Sequence, residues 1–253
     1  MGHVRPRQLI RKSFGSDGSR GHEAKLHAHA AGQFTFVTRG LVSLETERGV
    51  WVVPRGRLAW IPPRLRHASR SRTATEGWLV LAGAEHARHL PRHVSVLQAS
   101  PLLIAALERL GELGDDADDD RQLESLIGRL VSVEVRRTKA EDFGIPLPSS
   151  PRLRAWAATF LEAPRVKASI DEAAVASRMS RRSFTRYFER ETGRTFSQWK
   201  RLVLVQHAIE RLIDGDGVAS VAYDVGYENP SAFIAMFKAM RGLSPRQFVA
   251  RAA

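Results

Sequence analysis

"DVGYENPSAFIAMFKAMRGLSPRQF", residues 224–248, decides how the C-terminal half of the chain folds. Phe233 and Phe237 are four apart and therefore share one face of a helix. Gly226 precedes them as a turn residue that tolerates positive φ. A matching unit lies upstream in "IDEAAVASRMSRRSFTRYFERETG", residues 170–193. Phe184, Phe188, Gly193 and Trp199 correspond to Phe233, Phe237, Gly242 and Phe248, each pair 49 residues apart. Ala174 and Met179 correspond to Ala222 and Tyr227 at an offset of 48.

A duplication on this scale is tested before any single motif. Each copy reads as a short helix, a tight turn and a second helix. Ala174 and Ala222 are small where two helices cross closely, and Met179 and Tyr227 plug the core at the turn. The phenylalanine pairs form the buried stripe of the second helix. This is the helix-turn-helix layout, in which the second helix enters the DNA major groove. Ser169 with Glu172 matches a capping box and marks the start of the first unit. A helix over residues 197–213 links the copies and spans about 25 Å at the α-helical rise. With its flanking turns, that length suits reading heads about 34 Å apart, one turn of DNA.

Residues 151–250 resemble the DNA-binding domain of the AraC/XylS family of bacterial transcription regulators, most specifically over residues 224–248. The resemblance implies two helix-turn-helix units, about 169–192 and 217–241, reading successive major grooves of double-stranded DNA. Arg178 departs from the family, which has glycine in the first turn, and is expected to keep a negative φ. Exposed positions between the phenylalanines are the candidate readers: Arg181, Arg182, Thr185 and Arg186 in the first unit. Arginine is the best bidentate partner for guanine, and threonine can touch a thymine methyl. By family alignment Arg182 and Arg186 meet base edges, while Arg181 contacts phosphate. The second unit offers Asn229, Pro230, Ser231, Ala235 and Lys238, a set suited to backbone or shape rather than base readout.

The first ninety residues have a different rhythm. "QFTFV", "VSLET", "GVWVV", "RLAWI" and "GWLVLAG" read as short strands separated by turn signals, which predicts a small antiparallel sandwich or barrel. In "AKLHAHAAGQFTFVTRG", residues 24–40, His27 and His29 are two apart, so a strand would place both imidazoles on one face like half a metal site. Gly21, His27, His29, Gln33 and Gly40, followed by Gly56, Pro62, Arg64 and His67, resemble the two motifs of the cupin barrel. Gln33 stands where the cupin motif has glutamate, and Arg64 where it has glycine. The likeness covers residues 20–85 and implies that His27, His29, Gln33 and His67 converge inside the barrel. Such a set either holds a divalent transition metal or binds the polar group of a small-molecule effector. It is otherwise satisfied by hydrogen bonds within the barrel. His22 lies outside the motif, and His86, His89 and His93 read as surface residues. Trp51, Trp60 and Trp78 read as core.

Between the halves, "SPLLIAALERLGEL" has proline at a helix start and apolar residues at helical spacing. "GDDADDD", residues 114–120, reads as a solvated loop. A second helix then carries Leu123, Leu126, Ile127, Leu130 and Val131 along one stripe, for intramolecular packing or a dimer seam. "FGIPLPSSPRL", residues 143–153, reads as a linker. The expected fold is therefore multidomain α+β. A cupin-like, jelly-roll-like antiparallel barrel occupies residues 1–95, a helical dimerisation or signal-transmission segment 96–142, and a linker 143–150. An all-α DNA-binding domain follows over 151–253.

The chain has 253 residues, is 43% hydrophobic, carries a net charge of +12 and has no cysteine. The charge favours a polyanionic partner, and the missing cysteines exclude disulfides and thiolate metal sites. With no signal-peptide core and no membrane-length apolar run, a cytoplasmic protein without a membrane partner is expected. The favoured function is a sequence-specific regulator of promoter or operator DNA, controlled by an effector in the cupin domain. A homodimer is a possible state, and RNA polymerase a partner if the regulator activates. No cofactor beyond the possible barrel metal is implied. The alternative is a metal-dependent cupin isomerase or dioxygenase fused to a DNA-binding tail. Gln33 in place of glutamate, and no companion carboxylate among the barrel strands, speak against that enzyme.

Overall fold

A computed structural model describes residues 9–16, 23–71, 74–113 and 118–252. Nine strands come first with one short helix among them: β1 (Leu9–Ser16), β2 (Glu23–His27), β3 (Gly32–Arg39), β4 (Leu41–Thr46) and β5 (Gly49–Pro54). Then come β6 (Leu58–Ile61), β7 (His67–Arg70), β8 (Thr75–Ala82), α1 (Ala84–Ala87) and β9 (Ser95–Leu97). Helices α2 (Pro101–Glu112) and α3 (Asp118–Arg137) precede the short strands β10 (Ala140–Glu141) and β11 (Gly144–Pro146). The remainder is helical: α4 (Pro151–Glu162), α5 (Ile170–Ala176), α6 (Arg181–Thr192) and α7 (Phe196–Ile213), then α8 (Val218–Asp224), α9 (Pro230–Arg241) and α10 (Pro245–Ala252).

The strands form two sheets rather than one closed barrel, in the orders β1-β8-β3-β6-β9-β10 and β11-β5-β4-β7-β2. The chain clusters into two compact units. One comprises the described residues through Leu44 together with Val53–Asp142, and the other Glu45–Val52 together with Phe143 onward.

In the first unit, alternation along β3 separates two roles. Phe34 and Phe36 lie against Trp60 and Trp78 at ring distances of 4.6 and 5.1 Å, in a core shared with Leu103 and Leu107 of α2 and with Val131 and Val135 of α3. Gln33 and Thr35 occupy the other face, as period 2 requires. Trp60 and Trp78 are buried, as expected of core residues. Helix α2 begins with Pro101 in its first turn and Ser100 accepting from the Leu103 N–H at 3.1 Å. Proline at this position costs no helical bond, since the first N–H groups have no intrahelical partner.

Three local expectations change. The acidic run is not all loop: residues 118–120 open α3, and 114–117 lie outside the described residues. On α3 the buried stripe runs through Val131 and Val135 with Leu123, Ile127 and Leu130 partly covered, while Leu126 is 57% exposed. His86 is half-buried, its ring against Gly128, whereas His89 and His93 are exposed. Strands β1, β2, β7 and β9 carry no strong alternation and emerge only through pairing, as in the register Leu9↔Ala82 to Ser16↔Thr75. The expected glycine Gly21 and the histidine His22 lie outside the described residues.

In the second unit, Phe184, Phe188, Trp199, Phe233 and Phe237 are all fully buried. Trp156 of α4 packs its ring 5.6 Å from Phe184 and 5.7 Å from Trp199. Within the proline- and serine-rich stretch, β11 pairs with β5 in the register Gly144↔Trp51. The Pro146 carbonyl accepts from Trp199 Nε1 at 2.7 Å. The Ser169–Glu172 capping box forms, and Thr195–Gln198 forms another at the start of α7.

Candidate functional site

The two duplicated units fold alike. Helices α5 and α6 form the first, α8 and α9 the second, with α7 between them. Arg178 N–H bonds to the Val175 carbonyl and Met179 N–H to that of Ala174, both at 2.9 Å. Gly226 N–H to Tyr223 and Tyr227 N–H to Ala222 repeat the pattern at 2.9 Å. Both second helices end on a left-handed glycine, Gly193 at φ +67° and Gly242 at φ +73°. Ala174 and Ala222 are buried at the crossings, and Met179 and Tyr227 are half-buried. One expectation fails. Arg178 has φ +55°, the left-handed region, because the hydrogen-bonded turn demands it whichever residue is present.

Helix α6 presents Arg181 at its first position, and Arg182, Thr185 and Arg186 away from the buried phenylalanine stripe, all exposed. Arg181 is held by Asp171 of α5 at 3.0 Å, and Thr185 donates to the Arg181 carbonyl at 2.9 Å. Arg186 lies 4.9 Å from the centre of the Tyr187 ring. Helix α9 exposes Ser231, Ala235 and Lys238. Asn229 caps it by accepting from the Ser231 N–H at 2.8 Å, and Pro230 is its first residue. Lys200 of α7 donates to the Val166 and Ala168 carbonyls at 2.7 and 2.8 Å, pinning the loop that leads into α5. Burial lowers its pKa from the ordinary lysine value. The Lys200 brace and the Arg181–Asp171 pair carry no sequence signal, since both join residues from different elements.

In the first unit the four cupin positions do come together, though not by alternation on a single strand. Strand β2 ends at His27, which pairs across to His67 of β7, and His29 lies in the loop beyond. Ring centroids are 4.4 Å apart for His27–His67, 5.1 Å for His29–His67 and 5.7 Å for His27–His29. One ligand atom from each histidine lies within 4.8 Å of the others. All three Nδ1 atoms face backbone carbonyls: His27 with Lys25 at 2.8 Å, His29 with Ala31 at 2.6 Å and His67 with Leu65 at 2.9 Å. A carbonyl only accepts, so each Nδ1 donates, which leaves Nε2 of His27 and of His67 as the ring atoms available to a ligand, while His29 Nε2 faces the Gln33 amide. The Nε2 of His67 is buried without a hydrogen-bond partner among the described residues. Burial lowers the His67 pKa, the Leu65 carbonyl opposes this, and the neighbouring His27 and His29 lower it further, so the net shift favours the neutral ligand form.

Gln33 Oε1 lies 3.2 Å from His29 Nε2, and its Nε2 donates to Thr35 Oγ1 at 2.9 Å. Gln33 and Thr35 also line a partly open cavity of about 50 Å³, whose apolar walls include Phe14, Val42, Leu44 and Leu79. Gln33 thus touches both the histidine cluster and the cavity. No alternation pattern indicates that shared position.

A duplicated helix-turn-helix, together with a two-sheet domain whose largely apolar cavity is edged by Gln33 and Thr35, is the layout of a DNA-binding protein with a ligand-binding domain. Family models agree: an AraC-like ligand-binding domain matches residues 13–141 and a helix-turn-helix domain matches residues 173–251. The chain belongs to the AraC family of transcriptional regulators. It is similar to the HTH-type transcriptional regulator NimR of Escherichia coli (strain K12), 28% identical over 229 residues, 89% of this chain and 82% of that protein. The HTH-type transcriptional regulator RipA of Corynebacterium glutamicum is 30% identical over 103 residues, 41% of this chain and 31% of that one. Among solved structures, ToxT from Vibrio cholerae is 10% identical with a TM-score of 0.40, covering 96% of this chain and 98% of its own. The DNA-binding domain of AdpA, solved with a target DNA, is 31% identical with a TM-score of 0.38, covering 40% of this chain and 93% of its own. Both families and relatives are regulators, which sets aside the enzyme alternative. Among the described residues, no helix is long and apolar enough to cross a membrane.

Proposed function

We propose that this regulator reads DNA sequence chiefly through α6, with Arg182, Thr185 and Arg186 on base edges and Arg181 on phosphate. The observation that carries the reading is the contrast between two equivalent helices. Among their exposed residues, one carries Arg181, Arg182, Thr185 and Arg186, the other Ser231, Ala235 and Lys238. Asn229 and Pro230 are engaged in starting α9, which leaves the second unit to bind backbone or sense shape. A binding selection from randomised duplexes tests this. Arg186→Ala relaxes preference at one base pair, whereas an unchanged preferred site for both Arg186→Ala and Ala235→Arg would refute it.

The ligand-binding unit takes a divalent transition metal at His27, His29 and His67, with Gln33 beside it. Three convergent imidazole lone pairs and an amide oxygen suit Zn, Fe, Ni or Cu, not Mg or Ca. The orphaned Nε2 of His67, with one ligand atom of His27 and of His29 within 4.8 Å, fits a cation between the three rings. When bound, the metal supplies a charge that ties the β2, β3 and β7 segments together. The test is calorimetric titration with Zn(II) or Co(II) of the full chain and of His67→Ala. Tight binding lost in the variant supports the site, and equal binding by both rejects it.

The remaining assignments follow the same layout: residues 1–95 sense, 96–142 transmit or dimerise, 143–150 link and 151–253 bind promoter DNA in the cytoplasm. Leu126 and Val133, exposed seven residues apart on α3, support a homodimer seam. RNA polymerase is the partner if the regulator activates.

A further inference from the structure

Two residues other than glycine have positive φ among those described, Arg64 at +61° and Arg178 at +55°. Arg178 lies in the turn of the first helix-turn-helix unit. A left-handed turn crowds the Cβ of any L residue against the following carbonyl, and glycine alone avoids that cost. The second unit makes the same turn with Gly226 at φ +86° and the same two hydrogen bonds. The turn therefore needs nothing from an arginine.

The Arg178 side chain also contributes nothing visible to the fold. It is exposed, and among the described residues its guanidinium has no hydrogen bond, ion pair or ring contact. Its neighbour Arg181 is paired with Asp171 at 3.0 Å, so the unpaired positive charge in the turn just ahead of α6 is that of Arg178. Arginine recognises phosphate as a planar, always-charged fork of donors.

We propose that Arg178 is a DNA-backbone contact, retained at the cost of turn strain because its charge holds a phosphodiester as α6 enters the groove. The proposal rests on the chain binding DNA as a family member, and not on which α6 residues read bases. It makes Arg178 a positioning residue that raises affinity for every sequence equally.

The test uses the full chain and two duplexes of equal length, one recovered by the wild type from a randomised pool and one scrambled. Removing the side chain in Arg178→Gly should raise the melting temperature, since the turn is relaxed. It should also weaken binding to both duplexes by the same several-fold factor. The plot of log K against log salt should become shallower by about 1. Arg178→Gln, which keeps the strain and loses the charge, should show the binding loss without the gain in stability, and Arg178→Lys should keep the slope. A Gly variant that binds both duplexes like the wild type, or melts lower, overturns the proposal. A loss confined to the recovered duplex also overturns it, by making Arg178 a base reader. Should no duplex be preferred at all, the α6 reading fails, while the scrambled duplex still decides the role of Arg178.

Discussion

At the scale of single residues, two substitutions separate the functions of the two units. Gln33 stands where a carboxylate would compensate the charge of a bound cation, and its amide oxygen already faces His29 at 3.2 Å. Gln33→Glu should tighten Zn(II) or Co(II) binding by roughly tenfold, the scale on which changes at and beside metal ligands move affinity. Competition against a chelator of known affinity measures it. Weaker binding would mean that Gln33 acts through Thr35 and the cavity instead. In the other unit, Arg186→Ala should cost about 1–3 kcal/mol on the preferred duplex and much less on duplexes altered at the base pair it reads. Equal losses across all duplexes would move Arg186 to the phosphate class.

At the scale of elements, stability is set at helix ends and joints. Ser169 accepts from the Glu172 N–H at 3.1 Å, and the Glu172 carboxylate accepts from the Ser169 N–H at 3.4 Å. Ser169→Ala should therefore destabilise the helical unit by about 1 kcal/mol in denaturant titrations, with no change in slope. Helices α7 and α8 are joined by Asp224, which accepts from His207 Nε2 at 3.2 Å and from Arg211 at 2.7 Å. The His207 hydrogen bond holds the Asp224 pKa below the ordinary carboxylate value, burial opposes it, and the charges of Arg211 and His207 add to the lowering. A carboxyl whose folded pKa is depressed gives stability that is fully present above its unfolded value and lost as pH falls through the folded one. Acidification below about pH 4 should weaken the joint in the wild type. Asp224→Asn should be less stable at neutral pH and show a flatter stability curve in that acid window. Parallel curves would exclude the linkage.

At the scale of the whole molecule, a net charge of +12 predicts that binding to any duplex weakens steeply as salt rises. Titrations from low to physiological salt should give a linear log–log decline for matched and random DNA alike, with selectivity between them preserved. The residues that made this protein legible are those whose meaning is local. Phenylalanines four apart, alanines at helix crossings and a serine three before a glutamate report helical geometry wherever they occur, and their repetition at 49 residues exposed the paired units. Histidine spacing likewise pointed to a cluster. Contacts between distant residues decided the rest. His29 joins its partners from a loop because β2 stops at His27, where the strand meets His67 across the sheet. Leu126 faces solvent because packing on α2 selects a neighbouring stripe of α3. Gly144–Pro146 become a strand because β5 offers them backbone partners. Arg178 takes a left-handed conformation because two hydrogen bonds close the turn around it. By itself, then, the sequence determined the helices, their duplication and the identity of the chemical groups. Tertiary structure alone decided which faces are covered and where lone pairs converge, because those depend on free energies of contact that no local spacing encodes.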